Sequence, residues 1–183
     1  MFLSEDQLSK IGFKGYGTNV LISDKCSIYG AKDIELGSHI RIDDFCILSG
    51  KIFIGSFVHI ACHTSLIGRG GIWIGDYVGI SGHCAVYSSS DDFSGNFLQN
   101  PMVDEKYTNV KHDGVVFMKH SVVGAGSIIL PGSYLREGAA IGAQSLVKGW
   151  VGEYTINGGN PLKFIKNRER NLLTLEEQHR NGM

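Results

Sequence analysis

Large aliphatic residues recur along the chain every six positions. Leu36, Ile42, Leu48, Ile54, Ile60 and Leu66 form one run, after which the frame slips by two and resumes at Ile74, Ile80 and Val86. A later run, Phe117, Val123, Ile129, Leu135, Ile141 and Val147, keeps the same interval after a break. An earlier pair, Ile22 and Ile28, is also six apart and ends eight residues before Leu36. Glycine follows the aliphatic residue at Leu36, Ile54, Ile74, Val123 and Ile141. Helices repeat near 3.6 residues and flat strands near two, so neither explains six. A short strand that points one aliphatic side chain inward and then rounds a corner does. Three such strands close a triangular coil of about eighteen residues, and stacked coils pair edge to edge at about 4.8 Å. The pattern predicts an all-β chain, a parallel β-helix with one continuous aliphatic core.

Two stretches leave the repeat. Residues 87–114 contain no hexads and carry Ser88-Ser89-Ser90-Asp91-Asp92, Asn100-Pro101 and Asp104-Glu105-Lys106, which predicts an external loop. Loops carried on rigid scaffolds commonly hold function. After Gly158-Gly159-Asn160-Pro161, the spacing of Leu162, Ile165, Leu172 and Leu175 among many charges predicts helix, with Thr174-Leu175-Glu176-Glu177 as its capping box. Near the other end, Ser4 with Gln7 predicts the cap of a short helix. A solenoid exposes its core at both ends, and these helices would cover it. The expected organisation is an N-terminal cap over 1–19, a β-helix over 20–157 with its loop at 87–114, and a tail with a helix over 158–183.

Composition narrows the function classes. Seventeen Lys and Arg against eighteen Asp and Glu leave a net charge of −1, which excludes nucleic-acid binding driven by bulk charge. Uninterrupted apolar runs are only a few residues long, too short for a membrane-spanning helix. The opening residues lack the basic start and apolar core of a signal peptide, and Cys26, Cys46, Cys62 and Cys84 show no CxxC spacing. Reduced thiols and a cytoplasmic location are expected. Twenty-five glycines against three prolines fit a chain of many tight turns.

Seven histidines are present, and coil spacing sorts them. His63 and His83 each follow an inward isoleucine, Ile60 and Ile80, by three residues. Those isoleucines lie one coil apart once the two-residue slip is counted, so His63 and His83 are expected as vertical neighbours on the outer surface. His39, His59, His112, His120 and His179 are read as structural or solvent-exposed.

The hexads, the external loop, Ala140-Ile141-Gly142-Ala143-Gln144-Ser145-Leu146-Val147 and the closing Gly158-Gly159-Asn160-Pro161-Leu162-Lys163-Phe164-Ile165 together resemble the hexapeptide-repeat acyltransferases. The similarity is to the galactoside/maltose acetyltransferase type, including members found with polysaccharide biosynthesis enzymes, and covers roughly 36–168. It implies a left-handed β-helix and a homotrimer with active sites between subunits. It implies acetyl-CoA as donor, no required metal, and a sugar or sugar-nucleotide acceptor acylated on a hydroxyl or an amine. Where the resembled enzymes carry a catalytic loop histidine, this chain has Asp92, and 88–109 hold no histidine. His63 matches a substrate-contacting Asn of those enzymes.

Acyl transfer requires a group that takes the acceptor's proton, and a pKa near neutrality favours histidine. One possibility is that His63 or His83 is the base and Asp91 or Asp92 supports the imidazolium. The other is that Asp92 itself is the base, which suits an amine better than a sugar hydroxyl. Tyr87 and Tyr107 are candidates to pack on the sugar or nucleotide base. For the donor, the resemblance points to the backbones of Ala125 and Ala143 along the pantetheine arm, with Gly126 giving it room. Lys148 falls near the groove end. Lys163 and Lys166, in a basic cluster with Arg168 and Arg170, are where the CoA phosphates are expected. Two other classes compete: a non-catalytic β-helix assembly protein, and a zinc hydratase of the γ-carbonic-anhydrase kind using His59, His63 and His83.

Overall fold

In a computed structural model of the chain, which describes residues 1–182, the six-residue repeat becomes a left-handed parallel β-helix. Each face is a ladder of short parallel strands. On the first, Ile42 lies opposite Ile60 and Ile60 opposite Ile80, and the ladder continues through Val123 and Ile141. On the second, Leu48, Leu66, Val86, Ile129 and Val147 are in register. On the third, Leu36, Ile54, Ile74, Phe117, Leu135 and Val151 are in register. These side chains are buried and form one column of core, each contributing on the order of 1.5–3 kcal/mol through removal from water. The period therefore identified the core, apart from a second set it did not mark. Ile34, Ile40, Ile52, Val58, Ile72 and Val78 are buried two residues before an inward aliphatic, filling the coil interior near the corners.

Ile47–Ile54 and Ser65–Ile74 are continuous strands that run round a corner instead of breaking at it, and the slip after Leu66 falls within the second. They pair with each other along both arms, with an irregularity after Gly50. The chain leaves the coil at Tyr87 and returns at Val115–Phe117, which rejoins the third face between Ile72–Ile74 and Tyr134–Leu135. The base of the loop is an antiparallel ribbon of Ser89–Ser90 against Lys111–His112.

Helix α1 (Glu5–Ile11) starts with the predicted capping box, in which Ser4 Oγ accepts from the Gln7 N–H and the Gln7 side chain accepts from the Ser4 N–H. It buries Leu8 against the core. The other end departs from expectation. Lys163–Asn167, expected as helix, is a strand antiparallel to Thr155–Gly158. Its partner lies directly before it in the chain, and that pairing overrides the spacing of Leu162 and Ile165. Helix α2 spans Asn171–Asn181 with Arg170 at its N-cap and no side-chain cap. Thr174 lies inside the first turns and caps nothing, so the predicted capping box does not form. Met183, at the end of the expected tail, lies outside the described residues. Among the described residues no helix is long and apolar enough to cross a membrane.

Candidate active site

Every inward aliphatic is followed three residues later by a corner, and two corners of the triangle are built from residues with left-handed backbone. One column is Phe45, His63, His83, Gly126 and Gln144, with φ between 56° and 71°. At each level the corner N–H reaches back one coil. His63 donates to the Asp44 carbonyl, His83 to that of Cys62, Gly126 to that of Gly82 and Gln144 to that of Ala125, all at 2.8–3.0 Å. The left-handed turn is thus what hydrogen-bonds successive coils at the corner, and His and Asn tolerate it better than most side chains.

The rings of this column stack. His63 and His83 lie 4.7 Å apart with planes within 11°, and Phe45 packs on the far side of His63 at 4.9 Å. The expected vertical neighbours are brought together. The stack stops at Gly126, the next corner of the column, whose missing side chain leaves a gap in the row of rings on the free face of His83. At the same level, Gly124 approaches the next coil so closely that a Cβ would lie 2.5 Å from the Ala143 nitrogen. Ala125 and Ala143 are exposed, and their N–H groups have no partner among the described residues. The residues expected along a pantetheine arm therefore line the gap beside His83, one coil further from His63.

The histidines separate by what their ring nitrogens touch. His39 contacts Asn19, His59 contacts Asp43, His112 contacts Ser89, His120 contacts Glu176 and His179 contacts the Tyr77 hydroxyl. Among the described residues, only His63 and His83 have no hydrogen bond to the ring. His59, engaged by Asp43 at 2.8 Å, does not converge with His63 and His83. No group of three metal-ligating side chains occurs among the described residues.

Asp92 is placed differently from the expected Asp–His pair. Its carboxylate accepts from the Ser94 N–H at 2.7 Å and from the Asn109 amide at 2.9 Å. Those bonds, with Lys111 nearby, hold it below the usual carboxylate range. It bonds to neither imidazole of its own chain, because the loop carries it outward. Asp91 lines a cavity of about 520 Å³ between loop and coil, shared with Arg69, Ser89, Asn109 and His112 on its polar side and Ile67, Val103 and Val110 on its apolar side. Tyr87 is exposed where the loop begins, and Tyr107 is exposed in the loop under the Lys106 ammonium at 4.8 Å.

Lys148, Lys163 and Lys166 are exposed, the last two on the tail strand. The two arginines of the basic cluster are committed elsewhere. Arg168 donates to the His120 and Gly138 carbonyls at 2.8 and 2.9 Å. Arg170 lies over the Tyr154 ring at 4.2 Å. The offset of three residues that places His63 and His83 marks both corner columns when extended to the inward aliphatics of the first and third faces.

No protein-family model matches the chain. The dTDP-4-amino-4,6-dideoxy-D-glucose acyltransferase of Escherichia coli is 49% identical over 179 residues, covering 96% of this chain and 93% of that protein. A serine-to-alanine mutant of the N-acyltransferase AntD of Bacillus cereus, solved in complex with dTDP-4-amino-4,6-dideoxyglucose and coenzyme A, is 46% identical with a TM-score of 0.97, covering 100% of this chain and 98% of that one. AntD has also been solved with dTDP and 3-hydroxybutyryl-CoA. A hexapeptide-repeat acetyltransferase of Vibrio cholerae in complex with acetyl coenzyme A shares the fold at 17% identity, with a TM-score of 0.62 over 92% of this chain and 80% of that one.

Proposed function

The chain belongs to the β-helical acyltransferases that include the dTDP-4-amino-4,6-dideoxyglucose acyltransferase, and from that premise we propose that it acylates the 4-amino group of a dTDP-linked 4-amino-4,6-dideoxyhexose. The donor is an acyl-CoA thioester. The similarity to the E. coli and B. cereus proteins along nearly the whole length supports the amine acceptor over a sugar hydroxyl. Both a scaffold role and a zinc hydratase give way to acyl transfer.

The pair of hydrogen-bond-free imidazoles beside the Gly126 gap carries the mechanistic proposal. The thioester lies over that gap, with the arm along Ala125 and Ala143 and their unpartnered N–H groups available to its carbonyls. The neutral amine attacks the thioester carbon, and the oxyanion draws on those backbone donors. As the C–S bond breaks, CoA leaves as the thiolate. The proton lost by the nitrogen goes to a ring nitrogen of His83, then to the thiolate or solvent, restoring the base. His63, held between Phe45 and His83, positions the stack. Lys148 lies at the groove end, and Lys163 and Lys166 face the CoA phosphates. Asp91, Tyr87 and Tyr107 meet the acceptor.

The active unit is a homotrimer. Asp92 does not reach the imidazoles of its own chain, and the loop that carries it exposes Phe93 (87%) and Met102 (91%). A second copy covers those side chains and receives Asp92 beside its own histidines. The acceptor is an intermediate of sugar-nucleotide metabolism, and a cytoplasmic location follows from that chemistry. Incubation with acetyl-CoA, the dTDP-amino sugar and its 4-hydroxy counterpart, read by mass spectrometry, tests the proposal. An acylated amine is expected. Acylation of the hydroxyl compound alone would overturn it.

A further inference from the structure

The tail strand Lys163–Asn167 has no anchor of its own. All five of its residues are exposed, and it is paired on one edge only, to Thr155–Gly158, with a register shift between Ile156 and Asn157. A strand that buries no side chain is held by its ladder and by whatever fixes its ends. What fixes its far end is Arg168, bonded to the coil directly after the strand, and beyond it α2. That helix is poorly apolar, with Leu173 and Leu175 exposed, and its one buried residue is a glutamate, Glu176 at 8% exposure. Glu176 sits against the second corner column, where its carboxylate accepts from Lys119 Nζ at 2.6 Å and from His120 Nε2 at 2.7 Å. Arg180 lies 3.7 Å away. His120 is itself buried, at 7% exposure. Beside this contact, His179 of α2 packs edge-on against Phe57 at 5.2 Å. Between helix and strand, Arg168 ties the backbone to the His120 and Gly138 carbonyls.

We infer that Glu176 is a positioning residue for the acyl-CoA donor. It docks α2 on the Lys119–His120 corner and so holds the tail strand in the register that presents Lys163 and Lys166 to the CoA phosphates. This rests on the assignment of those two lysines to the phosphates under the proposed function. Burial alone would raise the Glu176 pKa, but the hydrogen bonds from Lys119 and His120 outweigh it and hold the carboxyl below its usual range.

A mutant cycle on the full-length protein tests the inference, with KM for acetyl-CoA and kcat as readouts. Glu176→Gln should raise KM roughly tenfold, about the worth of one charge-assisted contact, with kcat unchanged. His179→Ala, which loosens the same helix without touching the carboxylate, should raise KM in the same direction by less. Lys163→Ala/Lys166→Ala should raise KM, and adding Glu176→Gln to it should raise KM no further, because the two act through one contact. Amide exchange at 163–167 should quicken in Glu176→Gln. If the lysine pair raises KM while Glu176→Gln does not, or if Glu176→Gln adds its full effect in the lysine-free background, Glu176 does not position the donor lysines. If the lysine pair leaves KM unchanged, the phosphate assignment itself fails and the inference falls with it.

Discussion

The stacked corner column allows stability and catalysis to be separated by two substitutions of the same kind. Asparagine is the replacement of choice at His63 and His83, whose φ angles are 58° and 60°. It tolerates the left-handed backbone, whereas alanine would add strain unrelated to the ring. His83→Asn removes one ring contact, that with His63, and His63→Asn removes two, with Phe45 and His83. A ring pair contributes about 0.5–1.5 kcal/mol, and exposure places these contacts near the lower end. At roughly 2–4 °C per kcal/mol for a chain of this size, His83→Asn should lower Tm by about 1–3 °C and His63→Asn by about twice that. Turnover should follow the opposite order. The loss of a general base at His83 should cost about 10² to 10⁴ in kcat, and the loss of a positioning ring at His63 considerably less. Thioester absorbance is the suitable assay, because the protein's own free thiols would complicate detection of released CoA with a thiol reagent. Near-normal turnover in His83→Asn, or losses of turnover that rank with the losses in Tm, would refute the assignment of the base.

Asp92 can be tested as the rival base through pH. Its carboxyl is held below the usual range by Ser94 and Asn109, so a rate governed by Asp92 would stay flat down through neutral pH and fall only below about 4. The expected profile is instead a kcat/KM that already declines on acidification well above that range, which an Asp92 base would not give. In the core, Phe117→Ala removes a fully buried ring from the strand that closes the external loop, and denaturant unfolding should show a loss of about 3–5 kcal/mol. Light scattering should give a trimeric mass, and Phe93→Glu in the exposed loop should shift it toward the monomer and lower activity together. An active monomer would count against a shared site.

The extent of what could be read from residue order follows from how local each feature is. The core was legible because an inward aliphatic every six residues is dictated by the coil itself, and the stacking of His63 on His83 follows from the same count. The external loop and a C-terminal helix were also legible, but the path of the tail strand and of the loop was not. The strand Lys163–Asn167 exists because Thr155–Gly158 offers it an edge, and the spacing of Leu162 and Ile165 carries no trace of that edge. Likewise nothing in Ser88-Ser89-Ser90-Asp91-Asp92 shows that Asp92 will turn to Ser94 and Asn109 and away from the histidines. Its path is set by the ribbon that closes at His112, twenty residues on.

The corners explain why a repetitive fold holds chemistry at one place. Among the described residues, every non-glycine residue with left-handed backbone except Asn100 falls in one of two columns. Both columns need side chains that accept this backbone, and both collect His and aromatics, so composition alone cannot tell them apart. What distinguishes them is their cover. In the column of His39, Phe57, Tyr77 and His120, α2 covers the last three levels, where Glu176 bonds His120 and His179 meets Tyr77 and Phe57, while His39 is bonded to Asn19. The column of Phe45, His63 and His83 has no such helix, and it is interrupted by a glycine where the next ring would be. The sealed column uses its histidines as anchors, while the open one leaves two imidazoles unpaired beside a gap bordered by free backbone N–H groups. If α2 were moved from one corner to the other by circular rearrangement of the tail, the chemistry would be expected to disappear with the coil intact. Cover, rather than the identity of the corner residues, makes one column structural and the other reactive.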